Sequence, residues 1–199
     1  FLELANNPNL SYCSLENICT YLSDPDNPRT ISGNSGDCAD IAAVQNDCNG
    51  GNNTGPGTGF ITTWKTNNSG SSGNNQITIP TEGTGYNYNI YWEEVGNSDN
   101  SGSATGITGD HTITFSSEGT YQVEITGDFP RIFFNREGDK DKILTIDQWG
   151  NIAWSSMESA FAGCTHVQGN ATDAPDLSNV TSTARMFLLA TEFNQDLNN

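Results

Sequence analysis

Gly119-Thr-Tyr-Gln-Val-Glu-Ile125 is a segment in which apolar and polar side chains alternate from Tyr121 onward. Successive side chains of a β-strand point to opposite faces, so this alternation predicts a strand that buries one face. Gly, Asn and Ser residues separate this segment from others of the same kind. Five or six such strands within about 75 residues predict a β-sandwich of the immunoglobulin type over residues 60–132. The strand-like segments are 60–64, Gln76–Ile79, 86–92, 112–115 and 121–125.

Four short motifs in this region resemble those of a known sandwich family. They are Tyr91-Trp92, Gly96-Asn97, His111-Thr112 and the segment 119–125. Through these motifs, residues 58–132 resemble the polycystic-kidney-disease-type (PKD) sandwich domain. The resemblance implies that His111, at the start of a strand, makes structural hydrogen bonds and takes no part in catalysis.

The C-terminal part of the chain repeats itself at an interval of 26 residues. Mostly apolar residues recur at this spacing, which predicts stacked solenoid layers over residues 133–199. We expect a short helix in each copy, at 156–162 and 182–190, and an underlying layer that contains Ile143, Ile146 and Trp149. The matching pairs are Trp154 with Val180, Ala160 with Met186, Phe161 with Phe187, Cys164 with Ala190, and Val167 with Phe193.

Three elements within residues 154–199 are typical of one repeat family. They are Asn179-Val-Thr-Ser182, Met186-Phe187 and Phe193-Asn-Gln-Asp-Leu197. Residues 154–199 therefore resemble the BspA-type leucine-rich repeat family of bacterial surface proteins. The resemblance implies a secreted or surface-exposed, non-enzymatic protein used in adhesion or in building surface structures. Because only two copies are present, we expect either a longer protein or neighbouring subunits that cover the open ends.

Residues 1–48 contain a single strand-and-turn unit followed by two short helices. Leu2, Leu4, Asn7 and Leu10 match half of a leucine-rich repeat, and 14–22 has helical spacing behind a Ser cap. A second helix is expected to begin after Asp37 or Cys38. This segment is similar to the closing cap of secreted bacterial leucine-rich repeat proteins. Residues 49–59 are a linker by composition, because Gly, Asn, Thr and Pro dominate them.

Four of the five cysteines, Cys13, Cys19, Cys38 and Cys48, lie in this first segment. An even number of clustered cysteines predicts disulfides and an oxidising compartment. A zinc site is the weaker alternative, since there is no C-x-x-C pair and no nearby histidine. Three pairings are possible. A helix over 39–46 would put Cys38 and Cys48 about 15 Å apart, which disfavours that pair.

The formal charge of −17 and the isoelectric point near 4.1 restrict the possible partners. Phosphates and anionic lipid headgroups would be repelled, so we expect no nucleic-acid binding and no membrane insertion. The apolar runs are also far shorter than the roughly 20 residues that a transmembrane helix needs. The predicted fold is mixed but mainly β: a repeat end with its cap, a sandwich, and the start of a second solenoid.

No catalytic motif is present, and we expect neither an enzyme nor a cofactor. The adjacent pair Glu93-Glu94 would point to opposite faces of a strand and is a poor acid/base couple. Asn97-x-Asp99-x-Ser101-Gly102 has calcium-loop spacing, but Thr108 replaces the glutamate of the twelfth position, so we expect an acidic loop without metal. The remaining expectations are structural. Glu137-Gly-Asp-Lys-Asp141 should be a solvated turn, His166 an exposed turn residue, and Cys164, Trp149 and Trp154 core residues.

The leading hypothesis is an extracellular bacterial adhesion protein that binds other proteins or glycans on cell or matrix surfaces. It would use broad polar faces, shape and many hydrogen bonds instead of one deep pocket. A second hypothesis is a structural subunit of an extracellular appendage that self-associates through its open repeat end. A third is an accessory carbohydrate-binding region of a secreted enzyme.

Overall fold

The computed structural model describes residues 1–8, 10, 13, 16–35, 38–48 and 59–197. The chain divides into two compact units, Phe1–Thr58 and Gly59–Asn199. Each unit has its own hydrophobic core. The structure is mainly β, as the sequence predicted, and its described residues contain two short helices. Except for Gly59, the predicted linker lies outside the described residues.

The first unit combines two parallel strands with two helices. Strands β1 (Leu2–Ala5) and β2 (Arg29–Ser32) pair in register, so that Leu4 lies beside Ile31. Helices α1 (Glu16–Leu22) and α2 (Ile41–Cys48) follow β1 and β2 respectively. The N-terminal strand and both helices were expected, whereas no strand was predicted between the helices, where β2 lies. The predicted Ser cap at residue 14 is outside the described residues.

The second unit contains eight strands among the described residues, arranged in two sheets. The larger sheet has the order β10-β9-β3-β8-β5-β6, and β4 pairs separately with β7. All five segments predicted as strands contain one. The bounds are β3 Phe60–Lys65, β4 Gln76–Ile79, β5 Asn87–Glu94, β6 Asn97–Ile107, β7 His111–Thr114, β8 Thr120–Asp128, β9 Ile143–Gln148 and β10 Gln168–Gly169.

One continuous core joins both sheets to the repeat segment. Tyr121, Val123 and Ile125 of β8 are fully buried, as the alternation predicted. They belong to the same apolar cluster as residues of the small sheet and the aromatic residues that follow β9. The large sheet also crosses the predicted boundary between residues 132 and 133, because β9 pairs with β3. Residues 59–199 therefore form a single compact unit.

The two helices predicted in the repeats, at 156–162 and 182–190, are instead turns. Ser159, Gly163, Arg185 and Leu189 have left-handed backbone conformations, with φ between 54° and 80°, and such residues interrupt a right-handed helix. The backbone hydrogen bonds of these turns join one layer to the next. The N–H groups of Met157, Ser159, Phe161 and Gly163 donate to the carbonyls of Ser182, Ala184, Met186 and Leu188.

The 26-residue spacing nevertheless corresponds to stacked layers. Phe161 and Phe187, a matching pair, stack with ring centroids 5.4 Å apart and an interplanar angle of 9°. The left-handed residues recur at the same interval, Ser159 with Arg185 and Gly163 with Leu189. The periodicity therefore located equivalent positions correctly, although the local conformation is a turn.

Candidate functional site

The four clustered cysteines form two disulfides in the first unit. Cys13 bonds to Cys38 and Cys19 bonds to Cys48, with Cα atoms 5.4 and 5.3 Å apart. The second bond ties α1 to α2. The disfavoured Cys38–Cys48 pair is not formed. Two disulfides are typical of a protein that folds in an oxidising, extracellular compartment.

The turn 137–141, which was expected to be solvated, is exposed at Glu137 and Gly138 but buries Asp139, which forms an ion pair with Lys142. Asp139 and Lys142 have side chains that are 0% and 1% exposed, and Lys142 Nζ lies 3.8 Å from Asp139 Oδ1. Lys142 Nζ also donates to the carbonyls of Gly73 and Gln76 at 2.8 and 2.9 Å. Burial lowers the pKa of Lys142, and the charge of Asp139 opposes that shift. Because Lys142 belongs to the repeat segment, its hydrogen bonds hold the connection between β3 and β4 against that segment.

Close to this turn, two adjoining hollows form what we call the polar groove. Their volumes are about 470 and about 530 Å³, and Asn68 and His166 line both of them. These volumes fall within the range of about 300–1,000 Å³ that is usual for ligand sites. The first hollow is also lined by Lys65, Leu144, Thr145, Gln168 and Glu192, and the second by Asn67, Ser69, Lys140, Asp141 and Thr165.

One wall of the polar groove is a column of residues from successive layers. His166 Nδ1 lies 3.2 Å from Glu192 Oε1, and these two residues are 26 positions apart. Gln168 Nε2 donates to the other oxygen of Glu192 at 3.0 Å. The hydroxyl of Thr191 donates to the Thr165 carbonyl at 3.4 Å, again across one repeat. The stacking of layers thus sets the positions of these polar side chains.

The facing wall comes from the end of β3 and the turn that follows it. Lys65 is exposed, and Asn68 Nδ2 donates to the backbone carbonyl of Asp141 at 2.9 Å. Asp141 receives hydrogen bonds from Lys140 at Oδ2 and from Thr165 at Oδ1. The groove is therefore built from three distant parts of the sequence.

Hydrogen bonding holds both carboxylates of the groove in their charged form. Partial burial works to raise the pKa of Asp141, but the hydrogen bonds from Lys140 and Thr165 outweigh it and lower the pKa. The hydrogen bond from Gln168, followed by that from His166, lowers the pKa of Glu192. The groove therefore holds two ionised carboxylates whose oxygens are already engaged.

The other residues considered at the sequence level lie away from this groove. Trp149, Trp154 and Cys164 are buried in the core, and burial raises the pKa of the Cys164 thiol. Glu93 and Glu94 are neighbours on β5, and His111 opens β7. The stretch 97–102, which was expected to be an acidic loop, instead belongs to the edge strand β6. Among the described residues, no three His, Cys, Asp or Glu side chains are grouped to hold a metal ion.

Of the groove residues, only His166, Lys140 and Asp141 drew attention in the sequence. The 26-residue spacing could have placed Glu192 beside His166, because 26 positions separate them. Lys65 and Asn68 gave no comparable signal, since they reach the groove only through the pairing of β3 with β9.

A protein family described as "Mycoplasma protein of unknown function, DUF285" matches residues 128–199. The match covers the repeat segment, which is similar to this family and consistent with the BspA-like resemblance. No curated protein and no solved structure matches the chain. Within the described residues, no helix has the length and apolar character required to cross a bilayer.

Proposed function

We propose that this chain is part of an extracellular, non-enzymatic bacterial surface protein that mediates adhesion. It would bind proteins or glycans of cells or matrix through the exposed faces of its sheet and stacked layers. The polar groove carries this proposal, because it is wide, open and lined by amide, hydroxyl and charged groups. The two disulfides support the extracellular location.

We also propose finer identities for the segments. The in-register parallel pairing of β1 with β2 supports a last leucine-rich repeat and its cap in residues 1–48. The shared core of the two sheets supports a PKD-like sandwich in residues 60–132. The stacked turns support BspA-type repeats in residues 133–199.

Binding of the purified chain to arrays of matrix proteins and glycans tests the adhesion proposal. We expect saturable binding to at least one class of target, blocked by excess soluble chain. An unrelated protein of similar size and net charge serves as the control for non-specific contact. Binding no stronger than that control, on arrays and on whole cells alike, would contradict the proposal.

A second candidate function is that of a structural subunit in an extracellular appendage. The outermost described layer favours it, because Leu188 and Leu189 are 40% and 53% exposed. The N–H groups of Ser159, Phe161 and Gly163 donate to carbonyls of this layer, and the same kind of contact between two copies of the chain would join them end to end. Light scattering and negative-stain microscopy should then show regular polymers, which the paired change Leu188→Ser and Leu189→Asn should abolish. Monomers at every concentration would argue against this function.

A further inference from the structure

We propose that the polar groove binds an acidic glycan, that is, an oligosaccharide with carboxylate groups, and that Lys65 is the principal residue contacting a carboxylate. This inference rests on the proposed adhesive function and adds the chemical class of its ligand. It follows from the balance of free donors and acceptors in the groove, from the placement of the lysines, and from the shape and lining of the two hollows.

The acceptors of the groove are already occupied. Each of the four carboxylate oxygens of Asp141 and Glu192 lies within hydrogen-bond distance of a side chain of the protein. By contrast, the Lys65 ammonium forms no salt bridge or side-chain hydrogen bond within the described part of the chain. Because a lysine has three donors and no acceptor, the groove offers an incoming ligand an excess of positive donors. A ligand rich in anionic oxygens complements this excess.

The lysines of this acidic chain are concentrated at the groove. The chain has three lysines, and Lys142 is buried in its ion pair. The other two, Lys65 and Lys140, both line the groove, beside one of the two histidines. In a chain with a net charge of −17, this placement gives the groove a potential that differs from the surrounding surface. The two lysines balance the charges of Asp141 and Glu192, so an anion meets less repulsion in the groove than on the rest of this acidic surface.

The shape and lining of the groove favour a sugar chain over a peptide. Leu144 is the single aliphatic residue among those that line it, although carbon atoms make up most of the surface of the first hollow. A sugar ring can lie on such a surface with its C–H face and still direct its hydroxyls to the polar groups around it. Amide and hydroxyl groups of Asn67, Asn68, Ser69 and Gln168 match the hydroxyls of a sugar. Because the two hollows adjoin at His166, a short oligosaccharide can extend from one to the other.

The test titrates the full chain with tetragalacturonate and, separately, with its methyl ester, which has the same shape but no charge. Isothermal calorimetry should show binding of the acid that weakens with salt and little binding of the ester. Lys65→Gln should weaken acid binding about tenfold, the loss expected for one charge-assisted hydrogen bond, while Lys65→Arg should retain most of it. Arg185→Asn is the matched control, since it also removes one exposed positive charge and Asn tolerates the left-handed backbone found there. It should bind as the unmodified chain does.

Three results would overturn the assignment: no binding of the acid, equal binding of the ester, or an unchanged affinity in Lys65→Gln. Tighter binding of a tetraglutamate peptide than of the sugar would also overturn it and indicate a protein ligand. None of these results by itself contradicts the proposed adhesive function, which is tested separately on cells and arrays. If Lys65→Gln still binds cells or arrays as the unmodified chain does, the adhesive surface lies outside the groove.

Discussion

Lys142 Nζ lies 3.8 Å from Asp139 Oδ1, with both side chains almost completely buried. Both Asp139 oxygens accept hydrogen bonds, Oδ1 from the Ser72 N–H and Oδ2 from the Thr78 N–H at 2.7 Å. Lys142 binds three carbonyl or hydroxyl oxygens of the same connection at 2.8 to 2.9 Å. The two charges therefore organise the long β3–β4 connection, which contributes one wall of the polar groove.

Lys142→Met should destabilise the second unit strongly. Met fills a similar volume, but it leaves the carboxylate of Asp139 buried without its counter-charge, which typically costs about 3–5 kcal/mol. Urea unfolding monitored by tryptophan fluorescence measures the loss, because all four tryptophans lie in residues 59–199. Lys65→Met is the matched control, since Lys65 is exposed and forms no ion pair in the described part of the chain. Equal stability of the two variants would contradict a structural role for the buried pair.

Reduction of the disulfides should destabilise the first unit alone. Cys13–Cys38 and Cys19–Cys48 close segments of 25 and 29 residues, and each bond of this length contributes about 3 kcal/mol. The second unit contains one cysteine, the buried Cys164, which is free. With dithiothreitol, limited proteolysis should therefore cut residues 1–48 rapidly, while the unfolding curve from tryptophan fluorescence stays unchanged. A shift of that curve would show that the second unit depends on the disulfides.

The sequence was most informative where the side-chain pattern decides the structure. In β8 the apolar residues Tyr121, Val123 and Ile125 alternate with polar ones, and this pattern correctly predicted both the strand and the face that these three residues bury. In β6 the same rule failed, because Asn97-Ser-Asp-Asn-Ser-Gly has no apolar alternation and low β propensity. This segment is extended because it pairs with β5 across a tight hairpin turn in which Gly96 has φ 86°. Tertiary pairing, not local preference, determines that strand.

The repeat period was likewise easier to predict than the repeat conformation. A spacing of 26 aligns Phe161 with Phe187 whatever the backbone does between them, so the layers could be foreseen. The left-handed residues Ser159 and Arg185 carry no distinctive side chain, so the turns could not be foreseen. The groove forms where β3 lies beside those layers, and no local pattern in the sequence predicts that contact.

Gly163→Ala should lower the stability of the second unit by about 1–3 kcal/mol. Gly163 has φ 80°, and an added Cβ would lie 3.0 Å from the Cα of Arg136 in the layer below. Both the backbone conformation and the close contact disfavour a side chain. Gly109→Ala is the control, because an added Cβ there meets nothing within 4 Å. Thermal unfolding should give a lower melting temperature for Gly163→Ala than for Gly109→Ala. Equal melting temperatures would show that the layers adjust to the added methyl group without loss of stability.

The alkaline limit of stability should depend on the buried tyrosines. Burial raises the pKa of Tyr88 above its ordinary value of 10.0, and it also raises the pKa values of Tyr86 and Tyr91. A folded-state pKa above the unfolded value means that the unfolded state releases its proton first as pH rises. The contribution to stability is therefore complete below pH of about 10 and decreases as pH rises above it.

Tyr88→Phe isolates one of these groups. The Tyr88 hydroxyl donates to the Gly109 carbonyl at 2.8 Å, so its removal should cost about 1 kcal/mol at neutral pH. Because phenylalanine has no proton to lose, the variant should lose less stability than the unmodified chain as pH rises from about 10 to about 12. Urea unfolding across this range, with phenolate absorbance recorded in parallel, measures both effects. Ionisation of Tyr88 in the folded chain at its ordinary pKa, or parallel stability curves for the two proteins, would contradict the assignment.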